Sequence, residues 1–438
     1  MDHSDGAIPA TTPPDGYARL TLTPDRWDDV VDIDEWAFLN PWLPEERVAF
    51  KEAFVWDRGS AVVIADERHG TRGDLVAVRC SHPFMMAVPG GHRVPTAGLS
   101  WVAVHPGHRR RGLLTSMMRE HFEHSLARGE VVSVLTASEP QIYQRFGYGL
   151  GSRQLRAQFE RGAELREVEG AEELTVRLER LDRDNHAALM ADLQRQVDRP
   201  GSIVREGEEI TVELFSNDVN QRPENEPLRV VIVSSPDGLP QAFAVFRRKP
   251  SLQPGSSSGE VLVFNFVTTT AASARRLWAV LFDLDLTSRV TVTSLPLDDR
   301  LSWLAIDPRA PQSILRDDLW LRILDVPLAL AARTYQAPVD LVIGVRDALL
   351  SHNDGLWHLT TEDSAEPGQH VASVTRATGA AVADLSMDIQ ELSAAYLGGV
   401  SAESLADAGL VHEHTAGSLR LLSAAMRATH APASLFEF

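Results

Sequence analysis

The sequence predicts an α+β chain built from several domains, and three observations carry that prediction. The first is length with composition: 438 residues, 44% of them hydrophobic, exceed one ordinary domain and suffice for two to four cores. The second is a strand, a tight basic loop and a helix in immediate succession between Leu99 and Ala127. The third is a change of texture at Asp317-Asp-Leu-Trp-Leu-Arg-Ile-Leu-Asp-Val-Pro327, after which consecutive short strands give way to helices.

The elements follow in order. Residues 1–16, rich in Pro, Thr, Asp and Gly, read as a flexible tail. Residues 18–22 alternate like a strand. Thr23-Pro24-Asp25 then opens a helix with proline in its first turn. Its apolar side carries Trp27, Val30, Val31, Ile33, Trp36 and Phe38. Aromatic residues at that spacing are ordinarily core; with Trp42 and Trp56 they are also candidates for a pocket wall. Residues 60–65, 75–80 and 84–88 read as strands of a meander, turned at Pro89-Gly90-Gly91. The helix after the basic loop runs to about Ala127, and 130–137 is the next strand. Residues 153–172 form a charged bridge. Residues 174–178 are a fresh strand and 182–198 a helix. Residues 228–233 and 242–246 make a hairpin across Pro236-Asp-Gly-Leu-Pro240. After a Ser/Gly/Pro loop at 251–259 come a strand at 260–267, a helix at 271–284 and a strand at 289–293. In the last part, Pro327 starts a short helix; 341–345, 355–361, 371–374 and 381–386 read as strands, and 388–397, 401–408 and 415–426 as helices.

Composition excludes several classes. A net charge of −19 argues against a nucleic-acid surface, which relies on phosphate neutralisation by Lys and Arg, and it suits cationic substrates. No apolar run is long enough to span a bilayer. The first residues lack the basic and apolar regions of a signal peptide, so the expected location is the cytoplasm. Cys80 is the single cysteine, so there is neither a disulfide framework nor a cysteine zinc site, and no metal is expected. No His-Glu-x-x-His or Gly-x-x-x-x-Gly-Lys-Ser/Thr stretch occurs. Gly255-Ser-Ser-Ser-Gly259 matches a hydrolase elbow in letters only, because a strand rather than a helix follows it.

The chemistry concentrates at Arg109-Arg110-Arg111-Gly112. A loop feeding a helix N-terminus presents unpaired N–H groups and the positive end of a dipole. Arginines beside it make a receptor for a phosphate or pyrophosphate. Arginine runs are usually solvated surface. Here the glycine stands where a backbone must approach a ligand closely, in an otherwise acidic chain.

This stretch resembles the acetyl-CoA signature of GNAT acyltransferases, Arg/Gln-x-x-Gly-x-Gly/Ala. Arg109-x-x-Gly112 fits, and Leu114 departs from the last position. The form Arg-Arg-Arg-Gly-Leu-Leu resembles the Eis (enhanced intracellular survival) acetyltransferases, as does Ile-Tyr-x-Arg-Phe-Gly-Tyr-Gly at 142–149. The resemblance implies two tandem GNAT domains, the second degenerate, and a C-terminal sterol-carrier-protein-like domain. The domains expected are 1–152 with the acetyl-CoA site, a bridge at 153–172, 173–313, and 314–438. It also implies an amine N-acetyltransferase using acetyl-CoA as co-substrate and assembled as a homohexamer. Val102, Val104, Arg109, Arg110, Arg111, Gly112, Leu113, Leu114 and Ser138 would contact the cofactor. Tyr143 would be the general acid, a role that suits a phenol with a pKa near ~10.

The chain ends in Phe436-Glu-Phe438, which by itself reads as a tail anchored by burial. In the Eis family such an ending enters the active site, and its α-carboxylate serves as general base; this transfers to Phe438. The substrate pocket would draw on Trp27, Trp36, Trp101 and Glu437. Leu39 and Asn40 stand where the resemblance implies an acidic contact, with Asp34, Glu45 and Glu46 as substitutes. The acceptor is an aminoglycoside-type amine, a lysine side chain or a smaller apolar amine. Two other readings stay open here: a binding protein whose C-terminal module holds an apolar ligand, and a host-interacting protein using its acidic surface.

Overall fold

The computed structural model describes residues 11–39, 41–215, 226–250 and 258–438. Asn40, residues 1–10 of the expected tail and 251–257 of the expected loop lie outside them. The chain divides into two compact units: Met1–Gly151, Leu319–Thr429 and Phe438 form one, Ser152–Asp318 and His430–Glu437 the other.

The first unit begins with β1 (Tyr17–Thr21), α1 (Trp27–Phe38), α2 (Pro44–Ala53) and β2 (Ser60–Ile64). Next come β3 (Leu75–Ala87), β4 (Arg93–Val104), α3 (Leu113–Ala127), β5 (Val132–Leu135), α4 (Gln141–Gln144) and β6 (Gly149–Leu150). β1 to β4 are an antiparallel meander, and β5 joins β4 in parallel through the α3 crossover. β3 is one strand, not the two pieces read from sequence: Ser81, His82 and Pro83 keep register with Leu99, Gly98 and Ala97. Beyond Arg79 its β2 side is an open edge, where a proline is tolerated.

The second unit is built from β7 (Arg153–Glu160), β8 (Thr175–Arg180), α5 (Arg183–Arg195), α6 (Glu208–Phe215), β9 (Arg229–Ser234) and β10 (Pro240–Lys249). It continues with β11 (Gly259–Thr268), α7 (Ala271–Phe282), β12 (Thr287–Pro296), α8 (Arg300–Leu304) and β13 (Gln312–Asp317). Its sheet order is β13-β7-β12-β11-β10-β9-β8. Residues 153–160 are thus an inner strand rather than a bridge. Ala157 and Phe159 are fully buried while the charges of Arg153 and Glu160 stand out at its ends.

At Leu319 the chain returns to the first unit. β14 (Trp320–Ile323) inserts between β5 and β6, pairing Trp320 with both Leu135 and Leu150. There follow α9 (Val326–Ala331), β15 (Thr334–Tyr335), β16 (Asp340–Arg346), β17 (Gly355–Asp363), β18 (His370–Arg376) and β19 (Leu385–Asp388). The last elements are α10 (Ile389–Ala395), α11 (Ala402–Asp407), β20 (Val411–Glu413) and α12 (Ser418–Met426). Arg322 on β14 is fully buried because Asp347 takes its guanidinium at 2.6 and 2.8 Å. No helix among the described residues is long and apolar enough to cross a membrane.

Candidate active site

The site grows from a pair of strands that part. β4 and β5 are laddered only at Thr96↔Val132, Ala97↔Ser133 and Gly98↔Val134. β4 then runs on to Val104 with its β5-facing edge unpaired. Two local features set this divergence. Gly98 lies under the Phe84 ring, where a Cβ would meet a ring carbon at 2.2 Å. Past it, Trp101 and Val102 stand against Arg79 alone, a bulge that holds Trp101 at φ +57° and bends the strand.

The basic loop follows. Arg110 (φ +61°) and Gly112 (φ +85°) both adopt left-handed backbone, and Gly112 is the N-cap of α3 without a side-chain cap. The first helical bond is Ser116 N–H to Gly112 O, so the N–H groups of Leu113, Leu114 and Thr115 have no helical acceptor. The leucines contribute only backbone there: Leu113 is buried, and Leu114 packs on the cores on both sides. The three arginines differ. Arg109 and Arg110 are exposed, with no hydrogen bond or ion pair among the described residues. Arg111 donates to Tyr17 Oη at 2.8 Å and to Gly107 O at 3.3 Å, and meets His69 Nδ1 at 2.8 Å. Tyr17 Oη in turn meets His108 Nδ1 at 3.0 Å. Burial and the Arg111 charge hold His108 below its ordinary pKa, so it accepts from the phenol. Arg111, expected at the cofactor, also braces the loop through these bonds.

Tyr143 on α4 sits half-buried in the cluster containing Leu99, Val102, Met118 and Phe122. Its ring meets Tyr148 edge-on at 5.9 Å. Burial, with the Glu139 carboxylate adding, pushes its pKa up to about 12, so the phenol keeps its proton. Its hydroxyl has no hydrogen-bond partner among the described residues. Beneath it, Tyr148 Oη lies 2.7 Å from Ser133 Oγ, which also meets His121 Nε2 at 2.8 Å and donates to Ala97 O at 3.2 Å. Burial holds His121 well below its ordinary pKa. Neutral His121 then donates from Nε2, and Ser133 accepts twice and donates once, fixing the last rungs before the strands part. Ser138 is exposed just beyond β5.

Phe438 belongs to the first unit. Its ring packs edge-on against Phe84 at 4.8 Å and His82 at 6.4 Å, and Thr136 Oγ1 donates to its main-chain oxygen at 2.9 Å. Phe438 is thereby seated on the side chain that covers Gly98.

On the helical side of β4, Trp101 stacks on Trp42 at 5.5 Å and 20° and meets Phe50 and Phe54. Trp27, expected on the pocket wall, is only 3% exposed and forms the floor beneath Trp101 at 5.6 Å. Its place at the start of α1 points it into the core. Trp36 is 53% exposed and meets His105 of the loop at 5.2 Å, apart from that cluster. Glu437 is exposed and groups with the second unit. Asp34, a substitute for the acidic contact, accepts from Trp42 Nε1 at 2.9 Å. Leu39 is 87% exposed.

Phe84, His82, Thr136, Phe50 and the Tyr148–Ser133–His121 network went unread in the sequence. Of these only Tyr148 carried a signal, the Phe-Gly-Tyr-Gly turn. Among the described residues no group of three or more His, Cys, Asp or Glu is arranged to hold a metal ion.

Comparison with known proteins bears on this geometry. Residues 20–151 match an acetyltransferase (GNAT) domain, 201–323 a second acetyltransferase (GNAT) domain and 326–434 a sterol carrier protein domain. An uncharacterized N-acetyltransferase of Streptomyces coelicolor is 38% identical over 90% of this chain and 92% of its own length. N-acetyltransferase Eis of Mycobacterium bovis is 31% identical over 95% of this chain and 98% of its own. The crystal structure of Eis1 from Mycobacterium abscessus superposes with a TM-score of 0.77 at 27% identity, over 96% of this chain and 100% of that one.

Proposed function

The chain belongs to the Eis family of GNAT N-acetyltransferases, and on that premise we propose that it moves the acetyl group of acetyl-CoA directly onto an amine nitrogen, of a cationic small molecule of aminoglycoside type or of a lysine side chain. The observation that carries this reading is the meeting of three features where β4 and β5 part: a strand edge without a ladder, an uncapped helix N-terminus behind Gly112, and a protonated phenol.

In this reading Val102 to Val104 bond the pantetheine along the free edge of β4. Arg109, Arg110, the Gly112 N–H and the first N–H groups of α3, at Leu113 and Leu114, take the pyrophosphate. Arg111 keeps the loop in shape, and Ser138 adds a cofactor contact. A main-chain N–H between Val102 and Val104 stabilises the developing oxyanion. The acceptor arrives as an ammonium with a pKa near ~10, and the carboxylate of Phe438 takes its proton. Tyr143 gives its proton to the departing thiolate and regains one from the acylated nitrogen, which sheds its second proton as the amide forms; the transfer is direct, with no covalent enzyme intermediate. Trp101, with Trp27 beneath it, and Trp36 flank the acceptor.

The test is thiol release from acetyl-CoA over a panel of aminoglycosides, lysine peptides, polyamines and arylalkylamines, with the product identified by mass. We expect thiol release with at least one cationic amine, slowed about tenfold or more when residues are appended after Phe438. Full activity of the extended chain removes Phe438 as base. A protein that binds acetyl-CoA and acetylates none of these amines overturns the reading.

A further inference from the structure

The residues that lead to Phe438 are gripped one after another inside the second unit. Ala431 N–H donates to Asp298 Oδ2 at 3.0 Å, and Ala433 N–H to Pro200 O at 3.0 Å. Asp318 takes Ser434 twice: its Oδ2 accepts the N–H at 2.8 Å and its Oδ1 the hydroxyl at 2.5 Å. Leu435 O accepts from Asn265 Nδ2 at 2.6 Å, on the part of β11 that runs past its last rung with β12. The Phe436 ring is buried, with the Arg205 guanidinium 4.0 Å from its centre. All of these partners lie within Ser152–Asp318, in the same unit as the tail residues they hold.

A chain end ordinarily frays, because few contacts offset its entropy. This one is held by polar groups that are expensive to bury. Asp318 is buried with no cation paired to it among the described residues; Ser434 and the Ser152 hydroxyl, at 2.7 Å, are what satisfy it. Asn265 is a buried amide whose Oδ1 has no partner, so its burial serves Leu435. Ser152 and Asp318 are also the residues at which the chain enters and leaves the second unit. One carboxylate therefore fastens the tail at both points joined covalently to the first unit, where Gly151 N–H donates to Leu319 O at 2.9 Å.

We propose that the second GNAT domain serves as the dock of the tail, with Asp318 and Asn265 as positioning residues that fix where the Phe438 carboxylate stands. The dock rests on the acetyl-transfer reading for its purpose and on the second unit's own hydrogen bonds for its geometry. A base that is one link beyond its last clamp works only while that clamp stays closed, since a displacement of about 1 Å is enough to cost a large factor in rate.

The test uses two readouts on the full chain. Carboxypeptidase Y, which shortens a chain from its free end, reports how firmly the tail is held, and thiol release reports turnover. Asp318→Asn disturbs a buried carboxylate, so the working variant combines Ser434→Ala with Asn265→Ala, which removes one clamp bond at each residue. We expect this variant to release Phe438 about tenfold or more faster than wild type. Its kcat should fall about tenfold or more with acetyl-CoA binding unchanged. Ser434→Thr, which keeps the hydroxyl, should stay near wild type in both. In a chain expressed without Phe438 the group being positioned is gone, so the same two substitutions should lower kcat no further. Wild-type release of Phe438 from the folded variant overturns the proposal. An equal loss of kcat with and without Phe438 overturns it too, because it marks a purely structural role. Faster release from the variant, with no thiol freed by wild type for any amine of the panel, sinks the acetyl-transfer reading and leaves the dock standing.

Discussion

In the first unit the parallel ladder between β4 and β5 stops at Gly98 and β4 runs on to Val104. In the second, the ladder between β11 and β12 stops at Val263 and β11 runs on to Thr268. What meets each opening differs. β4 is followed by the stretch from His105 to Gly112 and a helix with no side-chain cap. β11 is followed by Thr269 and Thr270 alone. There the Thr270 hydroxyl accepts from Ser273 N–H while Ser273 Oγ accepts from Thr270 N–H. Where α3 leaves its first turn without a side-chain acceptor, α7 binds its Ser273 N–H within its own cap. Two residues past the last rung, Asn265 Nδ2 donates to the carbonyl of Leu435, so the chain's own tail bonds where β11 stands free. A shared fold thus carries two states of one device, and the difference lies in capping and in a few side chains.

The largest expected effect concerns the phenol. All five tyrosines lie outside residues 152–318, so the second domain has no counterpart of Tyr143. Replacing Tyr143 by Phe should lower kcat by about 10²–10⁴-fold with acetyl-CoA binding unchanged. Because the folded phenol is pushed up to about 12, the acid form persists as pH rises through the ordinary tyrosine value. The wild-type rate should therefore climb as the amine deprotonates and hold its plateau beyond pH ~10. An alkaline limb near pH ~10 that vanishes in Tyr143→Phe would falsify the burial argument; an undiminished kcat removes Tyr143 as the acid.

How much of this was legible depended on range along the chain. The helix after Arg109-Arg110-Arg111-Gly112 announced itself because Leu113, Leu114, Met117, Met118 and Phe122 recur at helical spacing and a glycine precedes them. The paired role of Gly98 and Phe84 did not, since a glycine in a strand says nothing of which ring will cover it. Strand 153–160 was masked by Arg153, Arg156 and Glu160, although Leu155, Ala157 and Phe159 alternate. β14 was illegible as a strand of the first sheet: its partners Leu135 and Leu150 are long-range, and Arg322 in a core strand is tolerable only because Asp347 closes on it. At the site, the residue types were readable and their duties were not. Three arginines in a row look equivalent, yet Tyr17, His69 and Gly107 claim only Arg111.

The next prediction separates backbone strain from cofactor binding by using both units. Gly112 sits at φ +85° and Gly170 of the second unit at φ +77°. A valine at either position strains the backbone by roughly 1–3 kcal/mol. Both variants should lose stability in thermal denaturation, Gly112→Val somewhat more because its Cβ also meets Pro14 Cγ at 3.2 Å while that of Gly170 meets nothing. Only Gly112→Val should also weaken acetyl-CoA binding, about tenfold or more, because the N–H groups of α3 are aimed by that turn. Equal acetyl-CoA affinity in the two variants would detach the helix N-terminus from the cofactor.

The smallest effect tests the silent half directly. Thr270→Ala removes the cap of α7 and should cost about 1 kcal/mol, seen as a lowering of the unfolding temperature by about 2–4 °C. Thr270→Gly costs less, since glycine is tolerated at an N-cap, and it leaves the first turn of α7 as bare as that of α3. If an open helix end were sufficient for a cofactor site, Thr270→Gly would bind a second acetyl-CoA per chain in calorimetry. We expect one site per chain in wild type and in both variants. The short Thr269–Thr270 turn carries no arginine of its own, the Arg300 guanidinium beside it donates to the carbonyls of Thr268 and Thr269, and Asn265 keeps Leu435 bonded beside the free strand. Two sites in Thr270→Gly would show that capping alone separates the two domains.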